Sequence, residues 1–315
     1  MIEPALNYKD VYLVPKKTIV NSRKECNTSA VFGTRVFDMP VYPSNMKSVV
    51  DMDTCAFLAK RGFFYTMHRF NVSAVDVIKF AEKNDIFSSI SIGVNEDTYE
   101  DLKIVKNEGY YPDYITLDVA NAWCVKAEKM VEFVHENFPK SFLIVGNVAT
   151  QMAVDEIQKW EGVDSIKVGI AGGAACTTKN KTGFHVPMIT SVSECCQVAK
   201  VPIVADGGIV EHGDIAKAIA CGAEMVMAGS LFAGYDQSAG EVVEIDGRHY
   251  KEYFGSASQF NKGEYKNVEG KKILVEYKGN MEKLLVELKE DLQSSISYAG
   301  GEKLSDLYGC EMIRI

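Results

Sequence analysis

At 315 residues, of which 47% are hydrophobic, the chain can bury a large core and suits one barrel-sized domain as well as two smaller ones. Its 34 basic and 43 acidic residues leave a formal charge of −9, which opposes attraction to nucleic-acid phosphates or anionic membranes. No run approaches the roughly 18 apolar residues of a membrane span and no basic-then-apolar leader precedes Leu6, so a soluble, unprocessed chain without nucleic-acid or membrane partners is expected.

Eight cysteines, at 26, 55, 124, 176, 195, 196, 221 and 310, form no CxxC and no regular spacing. Such scatter speaks against a disulfide framework or a zinc site and for a reducing compartment, with the cytoplasm as the expectation. The five histidines show no HExxH or paired-ligand spacing, so no catalytic transition metal is expected.

Residues 6–15 form an amphipathic lead-in and 16–28 a polar segment, together read as part of an N-terminal arm, 1–38. From residue 39 the chain alternates short apolar runs with helical periodicity. Strands are expected near 39–42, 63–67, 88–94, 114–119, 142–148, 165–170, 202–206 and 224–228. Helical patterns fall at 52–60, 74–83, 97–107, 125–137, 151–160, 190–199 and 213–221, with a stronger one at 281–298. Eight strand–helix repeats predict an α/β fold, a (β/α)8 TIM barrel. The rival, a doubly wound sheet, would need a GxGxxG turn after an early strand, and none occurs there. Residues 235–275 interrupt the eighth unit. A polar insertion at this point reads as a solvated hairpin or, at a barrel's catalytic rim, as an active-site flap. The chain is therefore expected to be one domain, 1–315, with arm 1–38 and flap 235–275.

In such a barrel the residues just past each strand's carboxyl end face one pocket. Here the tips carry Ser44-Asn-Met-Lys47, His68-Arg69, Gly93, Asp118-Val-Ala-Asn121, Gly146-Asn147, Asp206-Gly-Gly208 and Gly229-Ser230. Any one of them could be a helix cap; their recurrence points to a site. After strand six, Ala171 to Ala175 contains nothing larger than a methyl group, and Cys176 follows with two hydroxyls, Thr177 and Thr178. A buried cysteine in a small-residue loop is the plain alternative to a nucleophile. The glycines after strands seven and eight suit backbone N–H contacts to a phosphate. Asp206 beside them would repel phosphate but can accept from ribose hydroxyls, so a nucleotide is implied. The competing reading is that these glycines only permit tight turns.

The stretch Lys167-Val-Gly-Ile170, with Gly173 and Cys176-Thr-Thr178, resembles the active-site loop of the IMP dehydrogenase and GMP reductase family. Also similar are the opening run 6–15 with Ser22-Arg23, Asn45-Met46, Asp118-Val-Ala-Asn121, Gly146-Asn-Val148, Val204-Ala-Asp-Gly-Gly208, Tyr298-Ala-Gly300 and Met312-Ile-Arg-Ile315. The resemblance implies a purine nucleoside monophosphate bound by Asp206, Gly207, Gly208, Gly229 and Ser230, with Met46 under the purine. It adds Gly173, Ser256, Ser258, Lys266 and Gly270 to that site. It implies NADPH held by Ser22, Arg23, Arg69, Asp118, Val119, Ala120, Ile170 and Ala171. It further implies potassium on the carbonyls of Ala171, Gly173, Cys176 and Lys179, and a homotetramer.

In this family the thiolate, here Cys176, attacks the purine C2. The dehydrogenase branch then hydrolyses its adduct with an Arg-Tyr pair and usually carries CBS domains after the second strand; this chain has neither. The flap segment Val268-Glu-Gly-Lys-Lys272 is similar to the reductase branch, which implies Thr178 and Glu269 as proton relay. The chain departs from the family pattern at Ala171, Gly172, Ala174, Lys47 and Lys266, and its flap is shorter. The alternatives are an IMP dehydrogenase without CBS domains, a member acting on another purine nucleotide, a non-catalytic nucleotide-binding barrel, and an aldolase-like barrel with a Schiff-base lysine.

Overall fold

The computed structural model describes residues 4–255 and 270–315. Seven parallel strands form one sheet in the order Val41–Pro43, Met225–Ala228, Ile203–Asp206, Ser165–Val168, Phe142–Val148, Tyr114–Asp118 and Ser89–Ile92. Within this sheet the earliest strand in sequence pairs with the latest, through Val41 and Val226, so the sheet curls on itself in a TIM-barrel-like fold. These strands are covered on both faces, which is why they read as near-continuous apolar runs: all four residues of Met225–Ala228 are buried.

The eighth stave differs from the sequence reading. Residues 63–67, expected as a strand, lie between Val41–Pro43 and Ser89–Ile92 but form no ladder. Met67 N–H donates to Ser89 O at 3.0 Å, and the Tyr65 hydroxyl, in place of a backbone group, donates to Phe87 O. Three successive aromatic residues, Phe63, Phe64 and Tyr65, are all buried here.

Helices fall where the apolar periodicity put them, within a turn at either end. Several starts are capped by side chains: Asp51 accepts from Thr54 N–H at 2.8 Å, Ser73 from Asp76 N–H at 3.1 Å, and Asn280 from Glu282 N–H at 2.8 Å. The closing helix, Met281–Tyr298, buries Leu284, Leu285, Leu288, Leu292 and Ile296, one stripe at helical spacing. A short helix, Thr178–Thr182, was not expected. Among the described residues no helix is long and apolar enough to cross a membrane.

The N-terminal end of the barrel is plugged by a hairpin, Ala30–Phe32 with Arg35–Phe37. Phe32 and Phe37 enter a cluster with Phe64, Phe87 and Tyr114, edge-to-face at centroid separations near 5 Å, and Tyr114 OH donates to Phe32 O at 2.8 Å. At the other end, the insertion builds a three-stranded antiparallel sheet, Val242–Ile245, Arg248–Phe254 and Lys272–Glu276. It is fastened to the barrel by the buried Lys251 ammonium, which donates to the carbonyls of Tyr235 at 2.8 Å, Asp236 at 3.3 Å and Ser238.

Phe64 is fully buried and touches five rings, so Phe64→Ala should leave a cavity at the plugged end. A loss of about 3–5 kcal/mol in denaturant unfolding is expected, with the strand tips at the far end still able to assemble.

Candidate functional site

The strand tips converge on one side chain that the sequence reading treated only as part of a motif. Lys167, on Ser165–Val168, is buried in the barrel mouth. Its Nζ donates to Asp118 Oδ1 at 3.0 Å, to Asp206 Oδ2 at 2.6 Å and to Asn147 Oδ1, which uses all three ammonium protons. Asn147 is aimed inward by a register shift between Gly146 and Val148, and its Nδ2 donates to Asp206 Oδ2 at 2.8 Å and Gly169 O at 2.6 Å. Burial alone would lower the Lys167 pKa, but Asp118 and Asp206 outweigh it and hold the ammonium above its ordinary range. An ammonium whose three protons are all engaged by Asp118, Asp206 and Asn147 is not placed to act as a Schiff-base nucleophile, which disfavours the aldolase-like alternative. Burial pushes Asp118 upward, while Lys167, Arg69 and a bond from Asn45 pull it further down, below the usual carboxylate range.

Backbone contact sets the next layer. Gly169 has φ +145°, and a Cβ there would lie 1.8 Å from Asp206 O. Gly207 has φ +99°, and a Cβ there would lie 3.1 Å from both Gly172 C and Gly173 N. The loop 169–173 therefore lies directly against 206–208, with no side chain between. Ala171 is held at φ +62°, a conformation costly for alanine by about 1 kcal/mol. Beside it, His185 Nδ1 lies 2.7 Å from Ile170 O, as donor to that carbonyl. Gly208 packs against the ring of Tyr8 and the side chain of Met188.

Beyond that contact Cys176 is partly exposed, with Sγ 3.2 Å from Thr178 Oγ1. Cys176 forms an antiparallel bridge with Gly270, and Lys271 N–H donates to Ala175 O at 2.9 Å, so the returning strand of the insertion runs along the thiol loop. Ser256, Ser258, Lys266 and Glu269, all expected in the site, lie outside the described residues. Thr177 Oγ1 is buried without a partner among the described residues.

Tyr253, on Arg248–Phe254, was missed by sequence reading, which placed this segment in the flap without singling the residue out. It is buried, its hydroxyl lies 4.0 Å from Met46 Sδ, and a Cβ on Gly229 would fall 2.3 Å from that hydroxyl. Burial first, then Asp206 and Cys176, push its pKa up, which puts phenol, carboxylate and thiol in one neighbourhood. The alternation of Lys251 and Tyr253, both buried, against Tyr250 and Glu252 was the available signal.

The expected cofactor residues divide into two groups. Asp118, Val119 and Ala120 sit at the mouth, where Val119 N–H donates to Gly146 O at 2.9 Å. Arg69 lies near Gly93 beside a cleft of about 310 Å³ that is also lined by His68, Ser73, Asp97 and Asp101. His68 there is buried, and burial followed by the Lys47 charge lowers its pKa to about 4, so it is neutral at neutral pH. Ser22 and Arg23 are not brought to the mouth. Arg23 donates to Ser294 Oγ at 3.1 Å and Tyr298 OH at 3.2 Å, on the last turns of the closing helix.

A family model described as IMP dehydrogenase / GMP reductase domain matches residues 5–315. The chain is 64% identical to a GMP reductase of Chromobacterium violaceum, over 100% of this chain and 99% of that one. It is 48% identical to a GMP reductase of Acidovorax sp., over 96% and 93%, and 46% identical to one of Oceanobacillus iheyensis, over 99% and 96%.

Because a methyl group at residue 169 would collide with Asp206 O, Gly169→Ala should destabilise the fold by at least about 3 kcal/mol. Denaturant unfolding of the variant beside the unaltered chain measures this.

Proposed function

The chain belongs to the IMP dehydrogenase / GMP reductase family, and we propose that it is the reductase type, converting GMP to IMP and ammonia at the expense of NADPH. The observation that carries this reading is the Cys176 thiol 3.2 Å from the Thr178 hydroxyl, bridged to Gly270 of the returning strand. A nucleophile and a proton-bearing group are thus paired above a carboxylate and a glycine cradle.

In this reading the phosphate lies on the N–H groups of Gly208, Gly229 and Ser230, beside Gly207, whose own N–H donates to Met227 O, and Tyr253 OH is aimed at the same space. The sugar hydroxyls donate to Asp206. Its bonds from Lys167 and Asn147 both land on Oδ2, which leaves Oδ1 for the ligand. With Met46 under the purine, C2 faces Cys176. The thiolate adds to C2, the amino group takes a proton relayed by Thr178 and Glu269 and leaves as ammonia, and the purine remains joined to sulfur as a thioimidate. NADPH, when bound, supplies the hydride that replaces sulfur at C2, releasing IMP and the thiolate.

The residues suit that cofactor: Asp118, Val119, Ala120, Ile170 and Ala171 would border it at the mouth, with the Arg69 guanidinium beside Gly93 as a cation for its phosphate groups. Ser22 and Arg23, packed on their own closing helix, would serve a neighbouring copy in a homotetramer. Potassium would be held by the carbonyls of Ala171, Gly173, Cys176 and Lys179. Those of Gly173 and Lys179 each accept one N–H, from Cys176 and Gly183, and keep a second lone pair.

Incubation with GMP and NADPH should bleach the nicotinamide absorbance, while IMP with NAD should not produce it; the reverse result would overturn the reading. Cys176→Ala should abolish turnover with GMP binding still measurable. Asp206→Ala removes a charge-assisted acceptor worth about 1.5–3 kcal/mol, so calorimetry should show GMP bound roughly tenfold to hundredfold more weakly. Glu269→Gln keeps shape but not the titrating group, and should slow turnover by about 10²–10⁴-fold with GMP affinity nearly intact.

A further inference from the structure

Lys167 touches two carboxylates that the proposed function sends to different ligands: Asp206 to the substrate ribose and Asp118 to the cofactor. Both oxygens lie within 3.0 Å of one nitrogen, at the ends of Ile203–Asp206 and Tyr114–Asp118, and the Asp118 and Asp206 side chains are only 17% and 16% exposed. Two carboxylates so placed cannot both stay ionised without a cation between them; one would keep a proton and stop acting as a pure acceptor. We propose that Lys167 is a positioning residue for both ligand sites, the single charge that allows Asp118 and Asp206 to be ionised together.

The other groups facing this pair do not replace it. Arg69 and the amide of Asn45 act on Asp118, and the other groups facing Asp206, the Asn147 amide and the phenols of Tyr8, Tyr42 and Tyr253, carry no positive charge. Asn147 depends on Lys167 as well. Its Oδ1 faces the ammonium, which turns Nδ2 towards Asp206 and Gly169 O. One side chain therefore sets the charge of both carboxylates and the orientation of the amide that joins them. This inference rests on the proposed function for the names of the two ligands, but not for the charge arrangement.

The test is Lys167→Met, which keeps length and removes charge. The carboxylate pair should then share a proton with a raised pKa, so GMP affinity by calorimetry should fall about tenfold or more at pH 7 and recover towards pH 8.5 as that proton leaves. The unaltered chain, which keeps the ammonium within 3.0 Å of both carboxylates, should change less than about threefold over the same window. Adding Asp118→Asn to Lys167→Met removes the like-charge neighbour and should restore GMP affinity to within about threefold while cofactor binding stays weak. A loss that is equal at every pH, or that the second substitution does not repair, overturns the inference. So does a double variant that fails to fold, which would assign Lys167 to folding alone.

A ligand-free arm separates this from the proposed function. The folded Lys167→Met protein holds a proton that its unfolded chain has lost, so its stability should rise as pH falls from 8.5 to 7, more steeply than that of the unaltered chain. Equal slopes overturn the inference. If the unaltered chain does not bind GMP but the slopes differ as expected, the proposed function falls and the charge arrangement stands.

Discussion

Two stretches of backbone, 169–173 and 206–208, lie against each other with no side chain between them, and the rest of the mouth is built on that contact. It requires glycine at 169 and 207, each with positive φ, and it keeps the thiol loop and the carboxylate tip at a fixed separation. Had either glycine carried a side chain, Cys176 and Asp206 would sit on surfaces free to drift apart. The contact also explains why a loop of small residues need not be loose. Ala171 is kept in a left-handed conformation that alanine resists, which persists only because its surroundings, including His185 against Ile170 O, over-determine it.

Polarity rises along the barrel axis from plug to mouth. At the plugged end Phe32, Phe37, Phe64, Phe87 and Tyr114 fill the space with rings. Above them lies a layer of hydroxyls and an amide, with Thr66 Oγ1 3.2 Å from Thr116 Oγ1 and Asn45 Nδ2 2.9 Å from Ser91 Oγ. Above that is the ionic layer of Lys167, Asp118 and Asp206. The apolar end stabilises by burial, whereas a buried ion pair contributes little net stability and is retained where its charge has work to perform.

Much of the fold was legible because its elements follow local rules. Strands covered on both faces read as apolar runs, helices as amphipathic stripes with cap residues, and polar tips as a site. Residues 63–67 misled because aromatic content is a strand signal in sequence, whereas here the segment meets its neighbour through one backbone bond, from Met67 N–H to Ser89 O, and the Tyr65 hydroxyl. Tyr253 was hidden by its polar neighbours: Lys251 looks solvent-facing until its ammonium meets three backbone carbonyls from a loop that sequence cannot place. Lys167 was hidden for a similar reason, since the pairing of one lysine with residues 118 and 206 is a consequence of closure across the barrel.

That closure also selects one thiol from eight. Burial pushes the Cys195 and Cys221 thiols up to about 12 and raises those of Cys55 and Cys196 as well, which suppresses the nucleophilic thiolate. Cys124 is exposed, but it stands at the start of the helix Val125–Asn137 with no hydroxyl bonded to its sulfur among the described residues. Cys176 alone combines access with a partner hydroxyl and a returning strand at Gly270, and it does so because its loop is too small-sided to cover it. The absence of bulk between Ala171 and Ala175 thus has two effects. It lets the backbone reach the cradle at 206–208, and it leaves sulfur as the first atom with reach into the mouth.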